Sequence, residues 1–264
     1  MLAIRLILSL FSIRIPILGI NFSFVWIPVY IVGFYFGPFF GLFFGILSDT
    51  FAWLLSGSVW FWMYAIQEPC IGLLSGIIGS CFFLFNKKSI KQLIVIQQLI
   101  VFFFVIFTIV IVFSYYNKID ANQNINATNN FNKKLYVILL SIFLSCFLLF
   151  NEVQTIIMYL KYKKHKVLYN YTLYLYISIL IIISIIIFSF ILGPITQIKF
   201  YEFLNNNPPS NYLKYGTMFY LLPRVIKESF KTPIYILLVF LIVFAIKHQF
   251  HYNINSAKNK WNRR

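Results

Sequence analysis

Acidic side chains are almost missing from this chain. Its 264 residues hold six Asp and Glu against 22 Lys and Arg, and charged residues of both signs make up only 11%. A water-soluble domain carries roughly twice that share, so a soluble globular class is excluded. Histidine and cysteine are scarce as well. His165, His248 and His251 fall in basic stretches with no carboxylate at metal-ligand spacing. Cys70, Cys81 and Cys146 lie in apolar runs whose spacing fits neither a metal site nor a disulfide framework, and they read as small hydrophobes. Gly-x-Ser-x-Gly, P-loop and Gly-x-Gly-x-x-Gly patterns are absent. The chain therefore reads as a non-enzyme that needs no cofactor and does not itself hydrolyse ATP.

What is present is hydrophobicity: 61% apolar residues and a mean hydropathy of +0.83. The apolar runs are continuous rather than alternating, which favours membrane helices over a β-barrel. The expected fold is an all-α polytopic bundle, one membrane domain over residues 1–264. About eight apolar segments stand near 1–13, 24–36, 38–56, 63–85, 92–115, 135–159, 170–193 and 217–246. The first three are shorter than the ~20 residues a straight span needs. Short segments interrupted by Gly and Pro suit helices that line a cavity. Residues 1–13 are followed by Arg14 and Pro16 instead of a small-residue cleavage site, which favours a short first helix over a signal peptide.

The formal charge of +16 is spread over short loops. It reads as topology-fixing charge that also touches anionic lipid headgroups, and not as a nucleic-acid patch. Three clusters follow alternate segments: Lys87, Lys88 and Lys91; Lys161, Lys163, Lys164 and Lys166; Lys247, Lys258, Lys260, Arg263 and Arg264. With both termini cytoplasmic all three fall inside a cell membrane, while the Asn-rich loops Asn122 to Asn132 and Asn205 to Asn211 lie outside. Lys133 and Lys134 run against the rule. The sequon Asn126-Ala127-Thr128 is met cheaply in an Asn-rich loop and carries no weight.

Several isolated residues invite chemistry. Arg14, just before Pro16, is either an interfacial anchor or a guanidinium presented to a carboxylate. Gly33, Gly37, Gly41 and Gly45 recur every four residues, a spacing that lets helix backbones approach; plain helix packing is the simpler reading. Gly37-Pro38 breaks the helix and makes a tight turn. Asp49 lies at membrane depth and suits either an ion pair with Arg14 or Arg224 or a contact to a ligand amine. Trp53, Trp60, Trp62 and Tyr64 form either an interfacial belt or a stacking wall for a flat ligand. Glu68-Pro69 opens the fourth segment. Arg224 and Glu228, spaced i,i+4 beside Pro223 and Lys227, can pair along a helix.

Two blocks resemble the folate family of S components, the substrate-binding membrane subunits of energy-coupling factor (ECF) transporters. The first holds Ile13-Arg14-Ile15-Pro16, Ile27-Pro28, Gly33, Phe36-Gly37-Pro38, Gly41, Gly45 and Asp49. The second holds Tyr220-Leu221-Leu222-Pro223-Arg224-Val225-Ile226-Lys227 and Pro233-Ile234. The resemblance implies a helical bundle that captures a vitamin between its outer loops and helices. It also implies docking on a transmembrane T component driven by two cytoplasmic ATPases. Arg14 and Arg224 would then hold folate carboxylates, with Asp49, Trp53, Trp60, Trp62 and Glu68 as further substrate contacts. Ala3 with Gly33, Gly37, Gly41 and Gly45 would serve partner docking or helix packing. Three features depart from the family. An extra helical hairpin stands at about 90–165, the first helix has Ala3 followed by Ile7 in place of a second small residue, and Glu68-Pro69-Cys70 replaces a Thr-Leu-Ser-Ala-like stretch. The same subunit type for riboflavin, thiamine or pantothenate, or a structural membrane protein without ligand, remain the alternatives.

Overall fold

A computed structural model describes residues 1–10, 13–15, 20–57, 59–84, 92–103, 127–164, 168–205, 207 and 218–261. Ser12, Pro16, Lys87, Lys88, Lys91, Asn122, Asn126, His165, Lys166, Asn211, Arg263 and Arg264 lie outside them, and Lys133, Lys134, Lys247, Lys258 and Lys260 are described through their backbone alone. The chain runs α1 (Leu2–Leu10), β1 (Ile13–Ile15), β2 (Ile20–Phe22), α2 (Ile27–Phe36), α3 (Pro38–Ser56), α4 (Trp62–Ala65) and α5 (Gln67–Leu84). It continues through α6 (Gln92–Phe103), α7 (Ala127–Lys164), α8 (Leu168–Ser184), a π-helical turn Ile185–Ile191, α9 (Leu192–Asn205) and α10 (Met218–Trp261). Helix occupies each of the eight expected places. Five stretches are long and apolar enough to cross a membrane: Pro38–Ser56, Trp62–Leu84, Ser141–Lys161, Asn170–Asn205 and Pro223–Ile246. The protein is an all-α polytopic membrane protein.

The short segments at the N-terminus are short for local reasons. Pro28 stands in the first turn of α2, where its missing N–H costs nothing. Gly37 ends that helix at φ +91°, and Pro38 starts α3 immediately. The pair folds α2 back along α3, and both pack on α5 with almost no side chain between them. A Cβ on Gly33 would stand 2.5 Å from the Gly72 carbonyl oxygen, and one on Gly45 would stand 2.5 Å from the Glu68 oxygen. Gly41 and Gly72 face each other at the same seam. Backbones this close exchange dispersion contacts that lipid cannot supply, and Ser75 Oγ adds a hydrogen bond to the Tyr30 carbonyl at 2.6 Å. The opposite face of α3 exposes Phe39, Phe40, Phe43 and Leu54, a lipid-facing pattern.

One buried ion pair ties α1 to this unit. Arg5 and Glu68 are 5% and 6% exposed. The Arg5 guanidinium donates through Nη2 to Glu68 Oε1 and through Nε to Oε2 at 3.3 Å, and Ser48 Oγ donates to Oε2. Arg5 is thus held by α5 while Ala3, Ile4 and Ile7 stay exposed on the other side of α1.

The second half of the bundle is packed by large side chains. Tyr174, Ile177 and Leu180 of α8 meet Tyr235, Val239 and Phe240 of α10 and Tyr30 of α2 in one core, with the Tyr30 and Tyr235 rings edge to face at 5.9 Å. The seventh segment is longer than the sequence suggests. Pro194 looks like a stop, yet helix continues to Asn205. Pro194 has no N–H for the Phe190 carbonyl, and the chain accommodates it by widening into the π turn just before. Two polar ties join α6 to α7: Gln97 Nε2 to Thr155 Oγ1 at 3.1 Å and Gln98 Nε2 to Glu152 Oε2 at 2.8 Å. Ser229 Oγ of α10 donates to the Phe143 carbonyl of α7 at 2.7 Å.

Two stability predictions follow from this packing. Gly33→Leu, whose Cβ alone would meet backbone at 2.5 Å, is expected to cost ~3 kcal/mol or more through overpacking. Gly57→Ala, at a helix end with open space around it, is expected to cost only the ~1–2 kcal/mol of its left-handed backbone. Thermal unfolding in detergent compares the two, and equal losses would contradict the seam. Arg5→Met leaves the Glu68 carboxylate buried and uncompensated and is expected to cost about 3–5 kcal/mol. Adding Glu68→Met should recover most of that loss in the same measurement.

Candidate functional site

The β1–β2 hairpin covers one end of the bundle. Its strands pair antiparallel with Arg14 opposite Asn21, and β2 lies against α10. Ser23, Val25 and Trp26, in the chain leaving it, roof a small cavity of about 100 Å³ that Gln67, Ser189, Arg224, Lys227 and Lys231 also line. Three cations there face one carboxylate, Glu228, which is 1% exposed. Its Oε1 takes Lys227 Nζ at 3.2 Å, Lys231 Nζ at 3.9 Å and the Ser189 hydroxyl at 3.1 Å. Two positive charges are therefore left over. Arg224 is held by a neutral partner, Gln197 Oε1, at 3.0 Å, and its buried Nε has no hydrogen-bond partner. Gln67 Nε2 is buried without a partner as well. Unsatisfied donors and surplus cations converging on one cavity are what an anionic, hydrogen-bond-accepting ligand needs.

Backbone irregularities make this arrangement possible. The π turn carries Phe188 and Ser189 to the cavity wall. Gly193 leaves room for the guanidinium: a Cβ there would stand 2.8 Å from Arg224 Cζ. On the roof, the Trp26 N–H donates to the Tyr235 hydroxyl at 3.0 Å. The Lys231 ammonium lies 4.7 Å from the Tyr235 ring centre and 5.4 Å from that of Trp26, close enough for cation–π attraction.

A second hollow opens at the same end, between α1, α3, α4 and α9. It measures about 550 Å³ and is lined by Asp49, Trp53, Trp60, Phe61, Tyr64 and Phe200, among others. The Phe61 and Phe200 rings meet at 5.5 Å, and Tyr64 and Phe200 at 5.6 Å.

The residues singled out in the sequence thus separate. Arg224 lines the roofed cavity, while Asp49, Trp53 and Trp60 line the open cleft. Trp62 is exposed beside it, its ring 6.4 Å from Phe61. Glu68 lies below, with both carboxylate oxygens taken by Arg5 and Ser48. Arg14 is described through its backbone alone, at a paired position of β1. Asp49 and Arg224 do not pair, and the i,i+4 pairing of Arg224 with Glu228 is replaced by Lys227 and Lys231 on Glu228. Gly33, Gly41 and Gly45 face the chain's own α5, Gly37 forms the turn, and Ala3 is exposed on α1. Sequence reasoning missed Lys231, Trp26, Tyr235 and Gly193. Lys231 carried a usable signal, a lysine inside an apolar segment three residues after Glu228; Gly193 carried none until α9 and α10 were placed side by side.

Comparison with known proteins agrees with this architecture. The family model described as "ECF transporter, substrate-specific component" matches residues 1–160. Uncharacterized protein MG313 of Mycoplasma genitalium is 34% identical over 254 residues, covering 94% of this chain and 88% of its own length. The uncharacterized MG313 homolog of Mycoplasma pneumoniae is 28% identical over 242 residues, covering 90% and 84%. No solved structure matches. With more than half of its length under the family model, and with a multi-pass helical bundle that brings unsatisfied donors together in one cavity, the chain belongs to the substrate-specific components of ECF transporters.

Proposed function

We propose that this S component captures folate, or a closely related anionic vitamin, in the cavity beneath the hairpin. Membership of the family implies a substrate-binding role in transport rather than catalysis, with a transmembrane T component and ATPase subunits as partners. The observation that supports folate is the pair of uncompensated positive charges where Arg224, Lys227 and Lys231 meet Glu228 alone. A dianionic glutamyl tail answers that surplus, and the planar guanidinium of Arg224 suits a carboxylate. Arg14, on the hairpin above, supplies a second guanidinium.

The hairpin end faces outward and both termini are cytoplasmic in this reading, which keeps the basic clusters inside. The T component docks on the α1 face that exposes Ala3, Ile4 and Ile7, since Gly33, Gly41 and Gly45 are occupied by α5. Residues of about 90–165, with α6 and α7, form a helical hairpin inserted into an otherwise six-helix plan. Small-molecule sites measure about 300–1,000 Å³, so a cavity of about 100 Å³ admits the vitamin only when Ser23 to Trp26 lift away from α10.

Thermal shift of the purified chain against a vitamin panel tests the reading. A folate at 100 times its dissociation constant should add about 2.7 kcal/mol of stability, and Arg14→Ala with Arg224→Ala should abolish the response. Stabilisation by riboflavin, thiamine or pantothenate instead would replace the cargo. Stabilisation by none, from well-folded protein, would overturn substrate capture in this cavity.

A further inference from the structure

The open aromatic cleft has a charge balance opposite to that of the roofed cavity. Asp49 lines it and stands within electrostatic reach of both Glu68 and Arg5. Arg5 is committed to Glu68 through two hydrogen bonds. One cation among two carboxylates leaves one negative charge, and no hydrogen bond or ion pair to Asp49 occurs among the described residues. A carboxylate at this depth is costly without a counter-charge.

The rest of the cleft decides what kind of cation would answer it. Its walls are largely aromatic: Trp53, Trp60, Phe61, Tyr64 and Phe200 line it. Its serine hydroxyls donate to carbonyls of their own helices, Ser9 to Leu6 at 2.6 Å and Ser56 to Trp53 at 3.1 Å. A metal ion would need several oxygen ligands, and no group of three His, Cys, Asp or Glu that could hold one exists among the described residues. A primary ammonium would bring three N–H donors, which one carboxylate among aromatic walls serves poorly. A cation with no N–H at all, large and weakly hydrated, matches aromatic faces plus a single carboxylate.

We infer that this cleft is a second binding site, separate from the vitamin cavity, for a quaternary-ammonium group. The group arrives either on a soluble choline-like cation or on a choline-type lipid headgroup. The cleft opens beside Leu55 and Val59 and next to exposed Leu54 and Trp62, surroundings that suit acyl chain as well as headgroup. The site does not depend on which vitamin the roofed cavity takes.

The test uses the full chain in maltoside detergent, with thermal shift and tryptophan fluorescence as readouts. Choline is compared with its uncharged tert-butyl isostere, and a choline-headgroup lysolipid with a glycerol-headgroup one. Preference for free choline over the isostere supports the site with a soluble source. Preference seen only between the two lysolipids supports it with a lipid source. Asp49→Asn should weaken the preferred ligand by about tenfold, and Trp60→Leu, at an exposed position, should weaken it without unfolding the protein. Equal response to charged and uncharged members of both pairs would overturn the proposal. So would an Asp49→Asn protein that folds and keeps the full preference. Loss of the folate response in a protein that still discriminates choline would remove only the vitamin reading.

Discussion

Charge inside an apolar bundle has to be answered by charge, and the six acids of this chain show how few answers it needs. Glu68 is locked by Arg5 and Ser48, Glu228 gathers Lys227, Lys231 and Ser189, Glu152 accepts from Gln98, and Glu202 pairs with Lys199 at 2.7 Å. The first two pairings are buried, and they divide the hairpin end of the molecule between them. Around Glu228 the cations outnumber the carboxylate; around Glu68 the carboxylates outnumber the cation. Each net charge is costly to take out of water into a low dielectric. Hydrophobic residues would have packed both places more cheaply, so the surpluses point to ligands rather than to stability.

The two halves of the bundle solve the packing problem differently, and the difference decides where a cavity can form. Gly33, Gly41, Gly45, Gly72 and Gly76 bring α2, α3 and α5 into backbone contact, which leaves no room for a ligand at their seam and confines the cleft to the other face of α3. The α8–α10 side uses Tyr, Phe and Ile, and its backbone is irregular where it nears the hairpin, at the π turn, Gly193, Pro194 and Pro223. Irregular backbone at membrane depth is tolerated where it lines a cavity. The rigid glycine unit thus serves as the frame against which the half lining the Arg224 cavity is placed.

The frame was largely legible in the sequence. Small residues at a four-residue period, a Gly-Pro break and long apolar runs each have one dominant physical outcome in lipid, so α2, α3, α5 and the later spans appear where hydropathy puts them. The site was legible only in part. Arg224 stands out as an isolated charge beside a proline, but its partner could not be read, because Gln197 is neutral and 27 residues away. Glu68 looked like a ligand contact for the same reason that it forms an ion pair: both need a buried carboxylate, and only the position of Arg5 separates them. The aromatic cluster of Trp53, Trp60 and Tyr64 was visible as a cluster. Tyr64 lies within electrostatic reach of Arg224, whereas Trp53 and Trp60 line only the cleft, and no periodicity encodes that division.

The roof over the Arg224 cavity shows how the proposed capture could work despite the cavity's small size. Its described polar ties to α10 are one hydrogen bond, from Trp26 to Tyr235, and the placement of Lys231 under the Trp26 ring. Each is worth about 1 kcal/mol, and the Phe24 ring stacked on Tyr235 at 5.5 Å adds about 1 kcal/mol more, so breaking all three weakens apparent binding by a factor on the order of 100. A ligand that binds the open form at nanomolar strength commands about 12 kcal/mol and meets that cost with ample margin. Lys231 also takes part in both states. Closed, it lies between Trp26, Tyr235 and Glu228; once Trp26 lifts, the same ammonium joins Arg224 and Lys227 in facing the incoming anion. Opening the roof therefore exposes the charge that attracts the ligand.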